Sequence, residues 1–396
     1  MRRERRPLPR AHVAGDGQGR QGHPGRRIPA SPRRAGRGRR GRRVTPGEGF
    51  REILKARARG PERLGPLDPE LCGRAMELIL SGGATPAQVG GFLLVGRAAG
   101  DGPAEMAGYA RAVRSFVREI EAPDDRPVVT VTGGFDGKLR TLNVGAAASL
   151  VAAAAGARVV MTGCEGTPPK EGRTVFDALR GLGVCPSLSL REAEDSLLEH
   201  GFAAVGTEHY LPELHALLGL RWEMARRTVL NVVEKLVSPV PGSRMMVGMT
   251  HRPFLRSVPE ALIRLGVERA LVFQAIEGSD EAPLDGDSSM VRVSNGETEE
   301  LRVAPESVGL PRTTRARIPW TDPEDEKRGV LAALECEDGP VRSLILYNAA
   351  LRLWMADEAG SVAAGVESAE EAVRSGAALG LLDALRQPAV VPALDS

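Results

Sequence analysis

The sequence predicts an α/β protein, with a small N-terminal helical domain followed by a larger α/β domain that has a mostly parallel central sheet. Two observations predict this fold class. Residues 46–122 hold three helical patterns joined by short turns, and residues 123–396 alternate β-branched runs of strand length with helical stretches. Such alternation is typical of a parallel sheet covered by helices. With 42% hydrophobic residues among 396, the chain can also build a substantial core.

Residues 1–45 differ from the rest of the chain in charge. They hold 15 Arg, no Lys and two acidic residues, a net charge of +13, whereas the remaining residues carry −11. This composition predicts a disordered Arg-rich arm. Such an arm can neutralise nucleic-acid phosphates. The favoured interpretation is instead that the arm is translated non-coding sequence and that Val44 marks the true start.

Three capping patterns predict the helices of the first domain. Asp68 precedes Pro69 at a first helical position, and Gly82-Gly83 ends that helix. Thr85-Pro86-Ala87-Gln88 is a capping box that opens the second helix, and Gly102-Pro103 opens the third. These apolar-faced helices form a unit too small to be an independent domain. We therefore expect a homodimer formed through the N-terminal helices.

Strand and helix patterns alternate through the second domain. Asn295-Gly296 predicts a hairpin turn between two of the later strands. The predicted strands are 128–132, 158–161, 203–205, 245–249, 270–274, 291–294 and 298–303, and the clearest predicted helices are 142–156, 174–183, 342–357 and 362–385. We expect the last two helices to pack back on the helical domain. The longest apolar run, near 146–155, is too short to span a bilayer. The four cysteines form no close pair, which fits a reducing cytoplasm.

The first candidate for chemistry is the glycine-rich loop 133–137, which follows the first strand. Ligands of open parallel sheets bind beyond the carboxyl ends of the strands, where backbone N–H groups and a helix N-terminus attract anions. Lys138 and Arg140 add positive charge, so a phosphate or pyrophosphate is the predicted ligand. A plain glycine turn explains the same residues, because the loop is neither a P-loop nor a dinucleotide motif. Lys170 in the loop 163–172 fits either interpretation.

A second candidate is the carboxylate pair Asp280-Glu281, which follows the strand 270–274. Hard oxygen ligands suit Mg²⁺, which binds through one or two carboxylates together with substrate phosphates. We expect both residues to lie exposed in a loop, opposite Lys138 and Arg140, and we expect anion binding there to require Mg²⁺. The alternative is a solvated acidic turn. Arg221 fits either bidentate recognition of a carboxylate or an exposed helix position.

Several segments together resemble one known family, over about residues 67–385. They are Leu78-Ile79-Leu80-Ser81-Gly82, Thr85-Pro86-Ala87-Gln88, Leu265-Gly266-Val267, Gly278-Ser279-Asp280-Glu281, Asn348-Ala349-Ala350 and the stretch 228–239. These segments are similar to those of anthranilate phosphoribosyltransferase, a magnesium-dependent enzyme of tryptophan biosynthesis, in the glycosyltransferase family that also contains the pyrimidine nucleoside phosphorylases. The resemblance implies a dimerising helical domain, with phosphoribosyl pyrophosphate and Mg²⁺ bound between the two domains.

The resemblance also implies roles for individual residues. Arg221 would bind the acceptor, and Asp280 and Glu281 would hold Mg²⁺. The residues implied to bind phosphoribosyl pyrophosphate are Gly133, Gly134, Asp136, Gly137, Lys138, Arg140, Asn143 and Lys170. Four segments depart from the family pattern: Phe135 is bulky, Gly145-Ala146 lack two hydroxyls, 161–165 lacks the polar acceptor contacts, and 234–239 replaces the family's Gly-Pro-Leu-x-Asn-Pro. One of those hydroxyls helps to hold the metal in the family.

Three functions follow as hypotheses. The favoured one is a cytoplasmic pentosyltransferase that moves a phosphoribosyl group to an aromatic amine or a related acceptor. The second is a non-catalytic nucleic-acid-binding relative, because 135–141, 234–239 and 251–253 look like a divergent branch that includes such proteins. The third is a protein that keeps the fold and binds a regulatory or unknown ligand. Fold alone does not decide among them, since function belongs to the site.

Overall fold

The computed structural model describes residues 47–60, 62 and 64–386. The predicted arm, residues 1–45, therefore lies outside the described residues. The predicted fold class is confirmed: a helical bundle precedes an α/β domain with a mixed, mostly parallel seven-stranded sheet. None of the helices within the described ranges has the length and apolarity that a membrane crossing requires.

Four helices form the N-terminal bundle: α1 (Phe50–Arg57), α2 (Pro69–Leu80), α3 (Pro86–Ala99) and α4 (Pro103–Arg114). The predicted caps are present, since Asp68 accepts hydrogen bonds from the first turn of α2 and Thr85 forms its capping box on α3. Sequence analysis missed α1, which has no N-terminal side-chain cap.

A buried ion cluster joins α1 to α4. Arg57 donates to Asp101 at 2.5 Å and to Glu105 at 2.7 Å, and its side chain is fully buried. Glu105 also accepts a hydrogen bond from the backbone N–H of Leu67 at 2.8 Å. Charge-assisted hydrogen bonds of this kind fix the relative position of the two helices.

Seven strands form one sheet. They are β1 (Val128–Thr132), β2 (Arg158–Gly163), β3 (Phe202–Gly206), β4 (Arg244–Met249), β5 (Arg269–Gln274), β6 (Ser288–Ser294) and β7 (Glu297–Val303). Their order is β3-β2-β1-β4-β5-β6-β7, with parallel pairing from β3 to β5 and antiparallel pairing at β6 and β7. Asn295 and Gly296 both have positive φ, which confirms the predicted hairpin turn.

Helices cover both faces of the sheet. They are α5 (Gly145–Ala154), α6 (Val175–Gly181), α7 (Leu190–His200), α8 (Thr207–Tyr210), α9 (Pro212–His215), α10 (Leu218–Met224), α11 (Leu230–Val233), α12 (Phe254–Arg264), α13 (Pro323–Leu334), α14 (Pro340–Met355), α15 (Val362–Arg374) and α16 (Ala377–Leu385). One core contains α5, α6 and α13–α16, and the other contains α7, α12 and the N-terminal bundle. Alternate residues of a strand pack into different cores: Val129 and Val131 lie in the core that contains α5, and Val128 lies in the core that contains the N-terminal bundle.

Two predictions about the C-terminal helices were wrong. The single helix predicted over 362–385 is two helices, because Gly376 adopts the left-handed conformation (φ +78°) and ends α15. We also expected these helices to pack on the N-terminal bundle. They pack instead on α5, in the other core, because α5 is an Ala-rich helix whose small side chains let α14, α15 and α16 approach closely.

Arginine side chains of the bundle donate hydrogen bonds to backbone carbonyls of the α/β domain. Arg111 and Arg114 of α4 donate to the carbonyls of Arg264 and Leu265 at the end of α12. Arg97 of α3 donates to the carbonyl of Arg227 at 2.9 Å. The last contact places α3 beside the carboxyl edge of the sheet, where the candidate site lies.

Candidate active site

A cavity of about 240 Å³ lies at the carboxyl edge of the sheet, below α3. It opens where β1 and β4 end, and the segment 227–235 closes one side. Its wall combines cations with apolar and aromatic groups, and includes Arg97, Phe135, Asp136, Arg227, Lys235 and His251. Of the site residues predicted from the sequence, Asp136 alone lines this cavity.

The glycine loop 133–137 is shaped by neighbouring backbone. A Cβ atom at Gly134 would lie 2.9 Å from the Cα of Ser279, and one at Gly137 would lie 2.2 Å from the carbonyl oxygen of Gly172. Gly137 also has φ +70°, a conformation that favours glycine. Gly133 donates its N–H to the carbonyl of Thr162 at 3.3 Å. These glycines therefore let three loops approach each other, and this internal role is separate from the predicted ligand contact.

Lys138 points into the protein, contrary to the prediction. Its ammonium lies 2.5 Å from Oε2 of Glu281 and also donates to the carbonyl of Leu142, and its side chain is buried. The expectation that it faces the carboxylate pair across an open site is therefore wrong. Arg140 does remain exposed, with its Nε 3.7 Å from Oε2 of Glu277. An ammonium buried beside a carboxylate gains an ion pair, and this attraction offsets part of its lost hydration.

The Glu277 carboxylate binds the backbone N–H groups that follow the glycine loop. Its carboxylate accepts hydrogen bonds from the N–H groups of Leu139, Arg140 and Thr141, at 3.0–3.1 Å, and from Oγ1 of Thr141 at 2.9 Å. Burial alone would raise the pKa of Glu277, but these hydrogen bonds hold it below its usual value. Converging N–H groups are an anion site. Here the anion that they hold belongs to the chain itself.

The Glu281 carboxylate likewise binds backbone N–H groups, at the start of α5. Its Oε1 accepts hydrogen bonds from the N–H groups of Val144 at 2.9 Å and Gly145 at 3.1 Å. Burial raises the pKa of Glu281, and the adjacent Lys138 ammonium opposes this shift. A carboxylate at a helix N-terminus satisfies free N–H groups and the positive end of the dipole. This bonding also explains why α5 begins at Gly145, three residues later than predicted.

Asp280 is paired with a cation that sequence analysis did not consider. Its Oδ2 lies 2.6 Å from Nη2 of Arg352, and both side chains are buried. Arg352 also donates to Oγ of Ser149 and to the carbonyl of Asn348, each at 2.8 Å. The prediction that Asp280 and Glu281 are exposed is therefore wrong. The signal was present in the sequence, since Arg352 interrupts an apolar helix pattern and a buried Arg needs an acidic partner.

The carboxylate pair does not fit a magnesium site. Mg²⁺ takes near-octahedral oxygen ligands at about 2.0–2.1 Å. Glu281 already bonds a Lys ammonium and two N–H groups, and Asp280 bonds the Arg352 guanidinium. Within the described ranges, no group of three His, Cys, Asp or Glu side chains could hold a metal ion. No step of the chemistry is therefore assigned to a metal at this pair.

The remaining predicted residues bond to the protein itself. Asn143 donates its side-chain amide to the carbonyl of Arg173 at 3.0 Å. Lys170 donates to the carbonyl of Gly137 at 2.6 Å and lies 3.6 Å from Oδ1 of Asp136. Arg221 is buried and binds a carboxylate in bidentate fashion, but that carboxylate is Glu234, at 2.8 and 3.0 Å. The predicted bidentate geometry of Arg221 is therefore present, but its partner is a carboxylate of the chain itself.

Three cations at the cavity were missed. Arg97 and Arg227 come from segments that carry no motif, and Arg227 pairs with Asp136, its Nε 3.0 Å from Oδ2. Lys235 lies at the floor of the cavity and donates to the carbonyls of Gly248 at 2.8 Å and Gly278 at 2.7 Å. Burial lowers the pKa of Lys235 to about 8.

The fold and the cavity define a class of protein. A helical bundle lies beside a mostly parallel sheet, and a cationic cavity lies between the two. Residues 51–117 match the helical bundle domain of the glycosyl transferase family, and residues 128–379 match its a/b domain. The chain therefore belongs to this glycosyl transferase family.

Within the family, anthranilate phosphoribosyltransferases are among the proteins similar to this chain. The chain is 34% identical to that of Novosphingobium aromaticivorans over 323 residues, which cover 82% of this chain and 97% of that one. It is 33% identical to that of Rubrobacter xylanophilus over 335 residues, covering 84% and 96%.

Solved structures of the same enzyme share the fold. The crystal structure of anthranilate phosphoribosyltransferase from Thermus thermophilus superposes with a TM-score of 0.73 at 29% identity, covering 84% of this chain and 98% of that one. The enzyme from Saccharomyces cerevisiae in complex with PRPP and Mg gives a TM-score of 0.72 at 18% identity, covering 85% and 97%. At 18% identity, the second comparison shows only that the two proteins share a fold.

Proposed function

We propose that this chain is a phosphoribosyltransferase that acts on an aromatic amine or a related acceptor. The amine nitrogen forms a bond to C1 of the ribose, the bond from C1 to the pyrophosphate oxygen breaks, and the nitrogen loses one proton. The observation that supports this proposal is the cavity, which presents Arg97, Arg227 and Lys235 at the carboxyl edge of the sheet. The relatives that carry this enzyme name align over nearly their whole length.

The cavity residues divide into two chemical groups. The three cations can bind the phosphates and stabilise the negative charge that develops on the leaving pyrophosphate. Phe135 and Phe254 line the same cavity and offer apolar faces to an aromatic acceptor. The predicted Mg²⁺ ion has no part in this proposal, because Asp280 and Glu281 are already paired with Arg352 and Lys138.

The direct test is a binding titration together with a turnover assay. We expect phosphoribosyl pyrophosphate to bind, and anthranilate to be consumed as pyrophosphate appears. Arg227→Ala should weaken binding about tenfold, since a lost charge-assisted contact costs about 1.5 kcal/mol. Arg226→Ala is the matched control, because Arg226 is an adjacent exposed arginine that bonds its neighbour's carbonyl and does not line the cavity. Equal loss in both variants, or no binding by the unmodified protein, would exclude the cavity as the donor site.

Lys235 gives this binding a predicted pH dependence. With a pKa lowered from its usual 10.5 to about 8, the ammonium loses its proton above pH 8 in the free protein. Anion affinity should then fall about tenfold per pH unit well above the pKa. Lys235→Met should bind more weakly with no such titration, and a profile shared by both proteins would remove Lys235 from the site. The unfolded chain keeps this proton up to about pH 10.5, so Lys235 makes stability rise with pH between those two values.

A second candidate function is binding of a phosphate chain, such as nucleic acid, without turnover. The observation that favours it is that Glu277 and Glu281 already hold the N–H groups predicted for the pyrophosphate. A fluorescently labelled oligonucleotide titrated under the same conditions separates the two functions. Tight, salt-dependent binding that Arg227→Ala weakens, with no consumption of anthranilate, would favour the second.

We further propose a homodimer formed through the N-terminal bundle. Leu94 of α3 is 40% exposed, so this helix presents a large apolar side chain that a second copy of the chain could cover. Light scattering on the full chain at micromolar concentration measures this state directly, and a monomer at that concentration would exclude the dimer.

A further inference from the structure

Two buried ion pairs lie side by side at the N-terminus of α5. Lys138 pairs with Glu281, and Arg352 pairs with Asp280. The four side chains are at most 2% exposed. The two acids come from consecutive positions after β5, whereas the two cations come from the loop after β1 and from α14. The cluster therefore joins three distant parts of the α/β domain.

The charges in this cluster balance. Two carboxylates face one ammonium and one guanidinium, so the formal charge is zero. A divalent cation added to this arrangement would leave two uncompensated positive charges in a buried site. Burial of unpaired charge is among the largest penalties in a protein interior. A metal ion could enter only if Lys138 or Arg352 withdrew.

The bonding of Glu281 leaves little capacity for a further ligand. Its Oε1 accepts two backbone N–H groups at the start of α5, and its Oε2 accepts the Lys138 ammonium at 2.5 Å. A metal at Oε2 would have to take the position of the ammonium nitrogen. That ammonium is itself held by the carbonyl of Leu142, four residues further along the chain. The Lys138 ammonium is thus held by two acceptors, the Glu281 carboxylate and the Leu142 carbonyl.

Gly145 completes the arrangement. A Cβ atom at this position would lie only 2.2 Å from Oδ2 and 2.6 Å from Oδ1 of Asp280. Asp280 in its observed place therefore requires glycine at 145, and no side-chain hydroxyl can be supplied there. The absence of a side chain at Gly145 lets Asp280 reach Arg352, which also donates to the carbonyl of Gly145 at 3.3 Å.

We propose that Lys138 and Arg352 are built-in cations which occupy the place of a divalent metal, so that the Asp280-Glu281 pair works without one. The single charge of the ammonium compensates Glu281, and the guanidinium compensates Asp280. The proposal concerns the chain's own residues and can be tested without any substrate. Its failure is therefore distinguishable from failure of the proposed transferase activity.

The first measurement uses the unmodified protein with the metal alone. We expect the melting temperature to be the same in EDTA and in millimolar Mg²⁺, because an ion that does not bind the native state cannot stabilise it. We also expect Mn²⁺, followed by its paramagnetic resonance signal, to remain free. A rise in melting temperature with Mg²⁺ that disappears in Asp280→Asn would overturn the proposal.

The second measurement removes the built-in cation. Lys138→Ala leaves the Glu281 carboxylate buried beside the space that the lysine side chain occupied, including the position of its ammonium. We expect a lower melting temperature in EDTA, partial recovery with Mg²⁺ or Mn²⁺, and bound Mn²⁺ in the resonance signal. The double variant Lys138→Ala, Glu281→Gln should lose the metal response, because the carboxylate is gone. Lys55→Ala, at an exposed lysine in a surface ion pair, is the control and should show no metal response.

The outcomes are decisive in both directions. A folded Lys138→Ala protein whose stability ignores divalent metal would overturn the proposal, since the ammonium would then not occupy a metal position. If Lys138→Ala does not fold, the unmodified protein decides through the first measurement. Phosphoribosyl pyrophosphate that binds equally well in EDTA and Mg²⁺ would extend the proposal to the ligand-bound state. Failure of that ligand to bind at all would affect the proposed function only.

Discussion

Replacing Arg352 by Met is expected to destabilise the protein by roughly 3–5 kcal/mol, because it leaves the Asp280 carboxylate buried without its cation. Met retains much of the volume of the Arg stem, so the loss reports the charge more than a cavity. The free energy of unfolding, measured with urea at neutral pH, gives this difference directly, provided that the slope m is unchanged.

Two further variants show whether charge is the cause. Arg352→Met combined with Asp280→Asn should recover a large part of the loss, because the second change removes the uncompensated charge. Arg264→Met breaks an exposed salt bridge with Glu260, which lies one helical turn earlier in α12. This change should cost only about 0.3–0.5 kcal/mol. If Arg352→Met costs no more than Arg264→Met, the buried pair contributes nothing and our account of the cluster is wrong.

Replacing Gly108 by Ala is expected to cost about 1–3 kcal/mol or more, because helices α2 and α4 touch at this residue. A Cβ atom there would lie 2.3 Å from the carbonyl oxygen of Pro69 and 3.0 Å from its carbonyl carbon. The obstacle is backbone, so relief requires the two helices to move apart. Since α4 also supports α12 through Arg111 and Arg114, the change should loosen the contact between the domains.

Gly380 provides the matched control. It also lies inside a helix, α16, but a Cβ atom there would meet nothing within 4 Å. Gly380→Ala should therefore stabilise the protein by up to about 1 kcal/mol, the difference in helix propensity between the two residues. Thermal unfolding of both variants under one condition makes the comparison. Similar effects of the same sign would show that the close approach at Gly108 is not limiting.

The elements of the fold were predictable because their signals are local. Asp68 and Thr85 cap helices within a few residues, and the β-branched run 128–132 is a strand in the structure. The break at Gly376 was missed because the residues on both sides keep a helical pattern. The same reasoning failed at α1, where the N-terminal residue Gly49 offers no capping side chain.

The candidate site was harder to predict because its partners are far apart in the chain. Lys138 and Glu281 are separated by 143 residues, and Asp280 and Arg352 by 72. Each residue type suited ligand binding, and no local pattern shows that an internal group already holds it. Arg221 illustrates this: its bidentate geometry was predicted, yet the carboxylate that it binds is Glu234. The position of Arg352 within an apolar helix shows that it needs an acidic partner, but only the fold identifies that partner as Asp280.

The carboxylates of Glu277 and Glu281 also determine how a ligand is received. They hold five backbone N–H groups within the segment 139–145, those of 139–141, 144 and 145, before any ligand arrives. The conformational entropy of ordering this segment is therefore lost during folding, and a ligand that enters the adjacent cavity does not lose it a second time. This segment behind the cavity is therefore preorganised, and the exposed side chains of Arg97 and Arg227, which line the cavity, supply most of the adjustment upon binding.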